Sequence, residues 1–194
     1  QDVYSESVWL NRFVENLLSL TRIDDNLLKL KIQPELIEEI VGEILVIIRR
    51  RLGNRSIQVK TPPEPVMVWM DSSLIEQVLI NLMKNGAESI ANADRPAHQR
   101  MVELRVVPRQ VDGQNVVEFS VQDTGKGLAP EVLAHLFEAF FSTKQEGMGI
   151  GLNLCRSIVE SHQGRLWAEN LYNDTGTEVT GCRFSFWLPL HAGG

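Results

Sequence analysis

The sequence predicts an α/β sandwich, in which helices pack on a sheet rich in antiparallel strands, preceded by a separate helix. Two observations lead to this fold class. Residues 4–31 contain no Gly or Pro and repeat apolar residues with a helical period, whereas the chain beyond Pro34 alternates between helix and strand patterns separated by turn residues. We therefore expect a helical segment at residues 1–31, a globular domain at residues 32–190 and a tail at residues 191–194.

The first predicted element is the helix within residues 4–31. Its repeating positions follow one another at intervals of three and four, with one polar member: Leu10, Phe13, Leu17, Leu20, Asp24 and Leu27. This spacing is typical of the seam of a coiled coil or helical bundle. Because one helix alone cannot bury such a seam, we expect dimerisation through it. Packing on the chain's own globular domain is the alternative.

The first half of the globular domain is expected to contain two helices and a hairpin. A helix over residues 35–52 should end before Gly53. Strand patterns at residues 57–60 and 66–70 flank the turn sequence Thr61-Pro62-Pro63, which predicts a hairpin. The next helix should begin near Ser73 and run to about Ile90, because Ser73 and Glu76 have the spacing of a capping box.

The second half adds four strands and the third helix of the domain. After a polar loop at residues 92–100, strands at residues 102–108 and 116–122 flank the turn residues Asp112-Gly113. A helix over residues 151–162 should end at Gly164, and strands at residues 165–169 and 182–188 complete the sheet. Alternation of this kind, with short turns between neighbouring strands, predicts an antiparallel-rich sheet.

The composition is that of a globular protein and excludes several classes of function. Of 194 residues, 43% are hydrophobic and 23% are charged, which argues against disorder. The net charge of −6 offers no basic surface for nucleic acid or for an anionic membrane. No apolar run approaches the ~20 residues that cross a bilayer. Cys155 and Cys182 lack metal-ligand spacing, so a reducing compartment fits best, and a start at Gln1 suggests a fragment.

A pair of asparagines marks one face of the helix that starts near Ser73. Asn81 and Asn85 are four residues apart and so share a face, while Leu79, Leu82 and Met83 can pack in the core. Neutral amide oxygens suit Mg²⁺, which keeps several waters and phosphate partners. Two solvated surface asparagines are the alternative interpretation of this pair alone.

A carboxylate followed by glycines stands at the end of the strand at residues 116–122. Asp123 is followed by Gly125 and Gly127, which let the backbone approach a ligand closely. A carboxylate here can accept a hydrogen bond from the exocyclic amine of adenine, whereas guanine has a carbonyl at that position. A simple turn is the alternative.

A second glycine stretch lies directly before the helix at residues 151–162. Its backbone amides, backed by the helix dipole, can hold phosphate oxygens, and its members are Gly147, Gly149 and Gly151, followed by Leu152. The spacing is G-x-G-x-G after a polar loop, which fits neither a dinucleotide-binding turn nor a Walker loop. A flexible glycine linker is the remaining alternative.

An aromatic group lies between the two glycine stretches. Phe137, Phe140 and Phe141 are followed by Lys144. Aromatic residues in a loop usually anchor it to the core. Here they could also form the hinge of a flap that closes over a nucleotide, with Lys144 reaching the terminal phosphate.

Taken in order, these four stretches resemble the N box, first glycine box, F box and second glycine box of sensor histidine kinases. The resemblance covers residues 33–189, and residues 181–189 look like the closing strand of that family. Residues 4–31 look like the second helix of its dimerisation and phosphoacceptor domain. The resemblance implies a Bergerat ATP-binding fold, with ATP bound between the N-box helix and a mobile lid at residues 126–149.

The resemblance also implies roles for individual residues. Asn85 would be the principal Mg²⁺ ligand with Asn81 beside it, and Asp123 would accept from the adenine amine. Gly125 and Gly127 would permit close approach to ATP. The lid would be hinged and placed on the phosphates by Gly147, Gly149 and Gly151, which are followed by Leu152. It would be anchored by Phe137, Phe140 and Phe141. Glu88 replaces a phosphate-contacting lysine of many relatives, which gives Lys144 more weight as a catalytic cation, and Gly86 replaces the usual alanine.

One part of the family pattern is absent from the sequence. No histidine is followed by an acidic residue on a helix, the four histidines being His98, His135, His162 and His191. The resemblance therefore implies a phosphoacceptor upstream of Gln1 and no autophosphorylation by this chain alone. It further implies a homodimer, an upstream sensor domain, a receiver domain of a response regulator as partner, and a cytoplasmic location, with any anchor in the inner membrane lying outside the chain.

Two other functions remain as alternatives. The gyrase, chaperone and mismatch-repair ATPases share this fold, but their N box places a glutamate, the general base for hydrolysis, where this chain has Asn81. An amide has no useful basicity. A degenerate dimerisation module is the second alternative, and the intact glycine boxes argue against it.

Overall fold

A five-stranded mixed sheet organises the chain in the computed structural model, which describes residues 30–52, 57–138 and 150–191. The elements in chain order are β1 (Gln33–Leu36), α1 (Ile37–Leu52), β2 (Ile57–Lys60), β3 (Met67–Met70), α2 (Ser72–Ala91), a 3₁₀ turn (Ala97–Gln99), β4 (Val102–Val111), β5 (Gln114–Asp123), α3 (Pro130–His135), α4 (Ile150–Ser161), β6 (Arg165–Tyr172) and β7 (Val179–Pro189).

The strands of the large sheet lie in the order β2-β4-β5-β7-β6, and β1 and β3 form a separate two-stranded sheet. Only the β2–β4 pair of the large sheet is parallel, whereas its other three pairs are antiparallel. The predicted α/β sandwich with an antiparallel-rich sheet is therefore confirmed. In the part of the chain that the structure describes there are four α-helices rather than three, because the six-residue α3 was not predicted.

The core lies between the helices and the sheet. Each long helix contributes a buried apolar stripe, represented by Ile44 in α1, Leu79 in α2 and Ile158 in α4. The sheet contributes Phe119 and Phe186, whose stacked rings have centroids 4.8 Å apart. Burial of apolar area on this scale is the main stabilising term of the fold.

The helix α2 begins one residue earlier than expected. Its N-cap is Asp71, whose side chain accepts a hydrogen bond from the Leu74 amide at 3.4 Å. The predicted capping box of Ser73 and Glu76 is wrong, because the carboxylate of Asp71 already satisfies the first turn and Glu76 hydrogen-bonds with Glu43 of α1 instead.

The predicted hairpin at residues 57–70 is also wrong. Strand β2 pairs in parallel with β4, with Ile57 opposite Val102, and β3 pairs with β1. Prolines occupy three of the six residues between the two strands and cannot supply the backbone donors of a tight hairpin. The buried carboxylate of Glu103 in β4 joins the parallel pair through Lys60 of β2, at 3.1 Å.

The other expected elements are present with shifted ends. The predicted helix at residues 35–52 starts at Ile37, since residues 33–36 pair with β3 as a strand. Strands β4 and β5 extend to the turn at Asp112 and Gly113, both of which have positive φ. In the described residues, no helix is both long and apolar enough to span a membrane. The predicted helix of residues 4–31 falls almost wholly outside the described part.

Candidate nucleotide-binding site

One face of α2 carries the polar residues that the sequence singled out. Leu79, Leu82 and Met83 are at most 1% exposed, as predicted for the core side of the helix. Asn81 and Asn85 are half-buried on another side. Ser89 lies a further four residues on, so the three polar side chains follow one another along the same face.

Asp123 lies against the C-terminal end of this face. It is the last residue of β5 and only 5% exposed. Its Oδ1 accepts hydrogen bonds from the Gly125 amide at 2.8 Å and from Ser89 Oγ at 3.2 Å. The hydrogen bond from Ser89 thus brings the carboxylate that was predicted to read adenine next to the asparagine face of α2.

Burial sets the electrostatic state of Asp123. Desolvation raises the pKa of its carboxyl, although the hydrogen bonds from the Gly125 amide, Ser89 and the Cys182 amide act in the opposite direction. A carboxylate has about four acceptor positions, so these three donors leave capacity for one more. The group is suited to accept a hydrogen bond from a buried amine.

The loop after Asp123 is shaped by two close approaches. A Cβ at Gly125 would overlap Ser89 Oγ and lie 2.8 Å from Asp123 Oδ1. Gly127 has φ of +73°, and a Cβ there would overlap Val179 and lie 2.7 Å from Asn170 Oδ1. Both positions require glycine because of packing within the chain itself. The predicted close approach of a ligand at these glycines stays a prediction.

The start of α4 lies against the other end of the asparagine face. A Cβ at Gly151 would be 2.7 Å from Asn81 Nδ2, and the same Nδ2 donates to Cys155 Sγ at 3.3 Å. Burial raises the pKa of the Cys155 thiol to about 12, so the thiol is neutral when it accepts this bond. The helix that follows the second glycine stretch is thereby joined to the first asparagine of the N box.

The remaining predicted site residues fall into two groups. Phe137 is half-buried and packs edge-on against Phe184 of β7 with ring centroids 6.3 Å apart, and Leu152 packs against the hydrophobic core. Both side chains therefore hold the described segments on either side of residues 139–149 against the core. The others lie outside the described residues: Phe140, Phe141, Lys144, Gly147 and Gly149.

Three residues with contacts in the site were not singled out from the sequence. Ser89 bonds Asp123, and its spacing of four from Asn85 was a usable signal. Thr124 Oγ1 accepts from the Met101 amide at 2.9 Å and donates to the Gln99 carbonyl at 2.8 Å. Asn170 holds both backbone groups of Leu128. No local pattern identifies Asn170, because its partner is 42 residues away.

The fold and the arrangement of the site define a class of protein. The chain has a mixed sheet covered by helices, and its amide-bearing helix α2 lies between the acidic end of β5 and the start of α4. This arrangement is that of the Bergerat type of ATP-binding domain.

Comparison with known proteins identifies the family. Residues 70–192 match the family model of histidine kinase-, DNA gyrase B-, and HSP90-like ATPases. Sensor protein KdpD of Clostridium acetobutylicum is 36% identical over 174 residues, which cover 87% of this chain and 18% of KdpD. Sensor histidine kinase ZraS of Klebsiella oxytoca is 32% identical over 184 residues, which cover 94% of this chain and 36% of ZraS.

A solved structure agrees with these relatives. The catalytic domain of histidine kinase ThkA superposes with a TM-score of 0.67 at 27% identity, covering 82% of this chain and 96% of that domain. The chain belongs to the histidine kinase-, DNA gyrase B- and HSP90-like ATPases and carries the ATP-binding catalytic domain of the sensor histidine kinases. It spans about a fifth of the length of KdpD and just over a third of that of ZraS.

Proposed function

We propose that this domain binds Mg²⁺-ATP and transfers the γ-phosphate to a histidine side chain outside the residues of this chain, for relay to the receiver domain of a response regulator. One observation carries the proposal. The polar face of α2 joins Asp123, through Ser89, to the start of α4, through Asn81. Eight residues of helix separate Ser89 from Asn81, about 12 Å along the axis. The two ends of this face can therefore hold the base and the phosphates of one nucleotide.

The base is bound at the Asp123 end. The buried carboxylate accepts from the exocyclic amine of adenine, since its fixed donors already occupy its other acceptor positions. The backbone at Gly125 and Gly127 has no side chain that would keep the base away. Guanine has a carbonyl where adenine has the exocyclic amine, and a carbonyl has no proton to donate to the carboxylate. The site therefore favours adenine over guanine.

The phosphates are bound at the α4 end. The amides of Gly147, Gly149 and Gly151, with the N-terminus of α4 behind them, hold phosphate oxygens, and Lys144 adds a positive charge. The amide oxygens of Asn85 and Asn81 are ligands of the type that Mg²⁺ accepts alongside water and phosphate. When bound, Mg²⁺ neutralises charge on the phosphates, which is the main requirement of phosphoryl transfer.

The site favours transfer over hydrolysis. Asn81 stands where the hydrolysing members of the fold carry a general base, and its amide nitrogen is hydrogen-bonded to Cys155. An amide cannot take a proton from water at neutral pH. Bound ATP should therefore persist until an acceptor imidazole, itself a nucleophile, reaches the γ-phosphate.

The histidines of the chain do not supply that acceptor. His162 is 7% exposed, and its ring donates from Nδ1 to the Ile158 carbonyl and accepts at Nε2 from the Asp71 amide. None of the four histidines precedes an acidic residue. We accordingly propose that the acceptor lies on another segment of the whole protein, which would also contain the sensor domain. Residues 1–31 of this chain would form the homodimer, and the domain would lie in the cytoplasm.

Calorimetric titration of the chain with ATP, in Mg²⁺ and in EDTA, tests the nucleotide site. We expect saturable binding that Mg²⁺ strengthens. An absence of binding up to millimolar ATP would favour the degenerate dimerisation module. Incubation with γ-labelled ATP tests the second step, and we expect neither labelled protein nor release of inorganic phosphate. Steady release of phosphate would instead support the hydrolysing alternative.

A further inference from the structure

Asn170, in the edge strand β6, holds the loop that follows Asp123 with both ends of its side-chain amide. Its Nδ2 donates to the Leu128 carbonyl at 2.7 Å, and its Oδ1 accepts from the Leu128 amide at 2.8 Å. A side-chain amide presents a donor and an acceptor side by side, which matches the two backbone groups of one residue. The pair fixes the position of Leu128 on the sheet.

Gly127 makes this attachment tight. With φ of +73°, its backbone passes so close to β6 and β7 that a Cβ would lie 2.7 Å from Asn170 Oδ1 and would overlap Val179. The same side chain therefore sets both the height of Gly127 above the sheet and the position of Leu128. The backbone of residues 127–128 is therefore in direct contact with the side chain of Asn170.

The other end of the loop is fastened separately. The Gly125 amide is bonded to Asp123 Oδ1, and Thr124 bonds backbone groups of Gln99 and Met101. The loop of residues 124–128 thus runs between two attachment points, one on the α2 side and one on Asn170. Loss of the Asn170 attachment would free the part of the loop that contains Gly127, while Ser89 would still hold the Asp123 side chain.

We propose that Asn170 is a positioning residue for purine recognition, which holds the backbone at Gly127 and Leu128 where it contacts the adenine read by Asp123. This inference rests on the proposed function, since it names a determinant of the same nucleotide site. It is specific to the base. The proposed phosphate end of the site is the start of α4, which Asn81 contacts at the opposite end of the asparagine face from Asp123 and this loop.

The test compares ATP with inorganic tripolyphosphate as ligands of the wild-type chain and of two variants. Asn170→Leu removes both hydrogen bonds, and Asn170→Asp keeps the shape but places an oxygen against the Leu128 carbonyl. We expect both variants to bind ATP about tenfold more weakly, as for the loss of a net hydrogen-bond contribution, and to bind tripolyphosphate as the wild type does. A purely structural defect would weaken both ligands together.

The matched control is Asn115→Asp, which makes the same change at an exposed asparagine near the opposite end of β5 and should leave both affinities unaltered. Unchanged ATP affinity in folded Asn170 variants, or equal loss for both ligands, would overturn the inference. Failure of the wild type to bind ATP would instead reject the proposed function, and the inference with it.

A measurement on the wild type covers the case in which the variants do not fold. Amide hydrogen exchange of the ligand-free chain should show Leu128 protected by its bond to Asn170, with the amide of the exposed Lys126 exchanging faster. Equal exchange at the two positions would show that Asn170 does not hold the loop, and would overturn the inference independently of any substitution.

Discussion

At the scale of single residues, Asp123 is the residue on which we propose that nucleotide selectivity depends. The residue is buried and already accepts from Gly125 and Ser89. Asp123→Asn replaces one acceptor oxygen by an NH₂ group that would oppose a donor, so we expect ATP affinity to fall by ~1–3 kcal/mol. Calorimetry measures the loss. Asp112→Asn, in the exposed β4–β5 turn with φ of 51°, is the matched control and should bind ATP normally. Unchanged affinity of Asp123→Asn would remove the residue from base recognition.

Gly86 lowers the stability of helix α2, because glycine has a lower helix propensity than alanine. It lies in the middle of α2, and a Cβ there would meet Val102 at 3.4 and 3.5 Å and Asp123 Cβ at 3.6 Å, all ordinary contacts. Gly86→Ala should therefore raise the free energy of unfolding by about 1 kcal/mol, the difference in helix propensity. Urea unfolding measures it.

Gly42→Ala in α1 is the comparison for this substitution, because a Cβ there meets nothing within 4 Å and only propensity changes. We expect a similar gain from that variant. A loss of stability in Gly86→Ala alone would mean that α2 packs more closely on β4 and β5 than the structure shows.

Residue patterns of this local kind were sufficient to locate much of the candidate site. Asn81 contacts α4, and Asp123 contacts the asparagine face through Ser89. Asn81 and Asp123 were both identified from motifs that span only a few residues of sequence. Ser89 could have been added by extending the spacing of four. Asn170 could not, because its role depends on a pairing of β6 with a distant loop. The roles of all these residues in nucleotide binding remain predictions, and Lys144, Gly147 and Gly149 also lie outside the described residues.

At the scale of secondary-structure elements, the contact of α1 with α2 contains a carboxyl that titrates near neutrality. Burial, a hydrogen bond with Glu43, and the charges of Glu43 and Glu35 raise the pKa of Glu76 from 4.5 to about 7. The folded state therefore holds this proton between about pH 4.5 and pH 7 while the unfolded state does not, so this group lowers stability as the pH rises through that window.

Glu76→Gln should remove this dependence. We expect the variant to gain stability over the wild type as the pH rises from 5 to 8, in thermal unfolding at a series of pH values. Glu43→Gln should reproduce part of the gain, since it removes one charge that opposes ionisation of Glu76. A difference between Glu76→Gln and wild type that does not vary with pH would contradict the assignment.

The contact of α2 with α4 depends on pH in the opposite sense. His162 links the two helices through the Asp71 amide, and burial lowers its pKa below the usual 6.5. The unfolded chain takes up this proton first, so the contribution of His162 to stability is lost as the pH falls below about 6.5. His162→Gln keeps a donor and an acceptor but cannot titrate, and its stability relative to wild type should rise on acidification. Circular dichroism melts between pH 7.5 and 5 measure this, and a constant difference would show that the ring does not titrate on unfolding.

Elements with clear local patterns were predicted, whereas the pairing of strands that are distant in sequence was not. The β4–β5 hairpin and the helices α2 and α4 follow from local turn and periodicity signals. The pairing of β2 with β4 and of β1 with β3 crosses other elements, so residues 57–70 were assigned to a hairpin that does not exist. Helix α3 begins at Pro130 and has only six residues, so it is too short to show a helical period in the sequence.

At the scale of the whole molecule, we expect nucleotide binding and dimerisation to belong to different segments of the chain. The described contacts of the site come from residues 81–184. The seam predicted in residues 4–31 lies before the first strand. Disruption of the seam should therefore change association without changing the affinity for ATP.

Leu17→Glu places a charge in the middle of that seam, where a coiled coil requires an apolar residue. The wild-type sedimentation coefficient should rise with protein concentration, whereas Leu17→Glu should sediment as one slow species and still bind ATP as the wild type does. Ser19→Glu adds the same charge outside the seam and should associate normally. If the seam packs on its own domain instead, the wild type will sediment independently of concentration and Leu17→Glu will lower its melting temperature, because the apolar face then contributes to the stability of one chain.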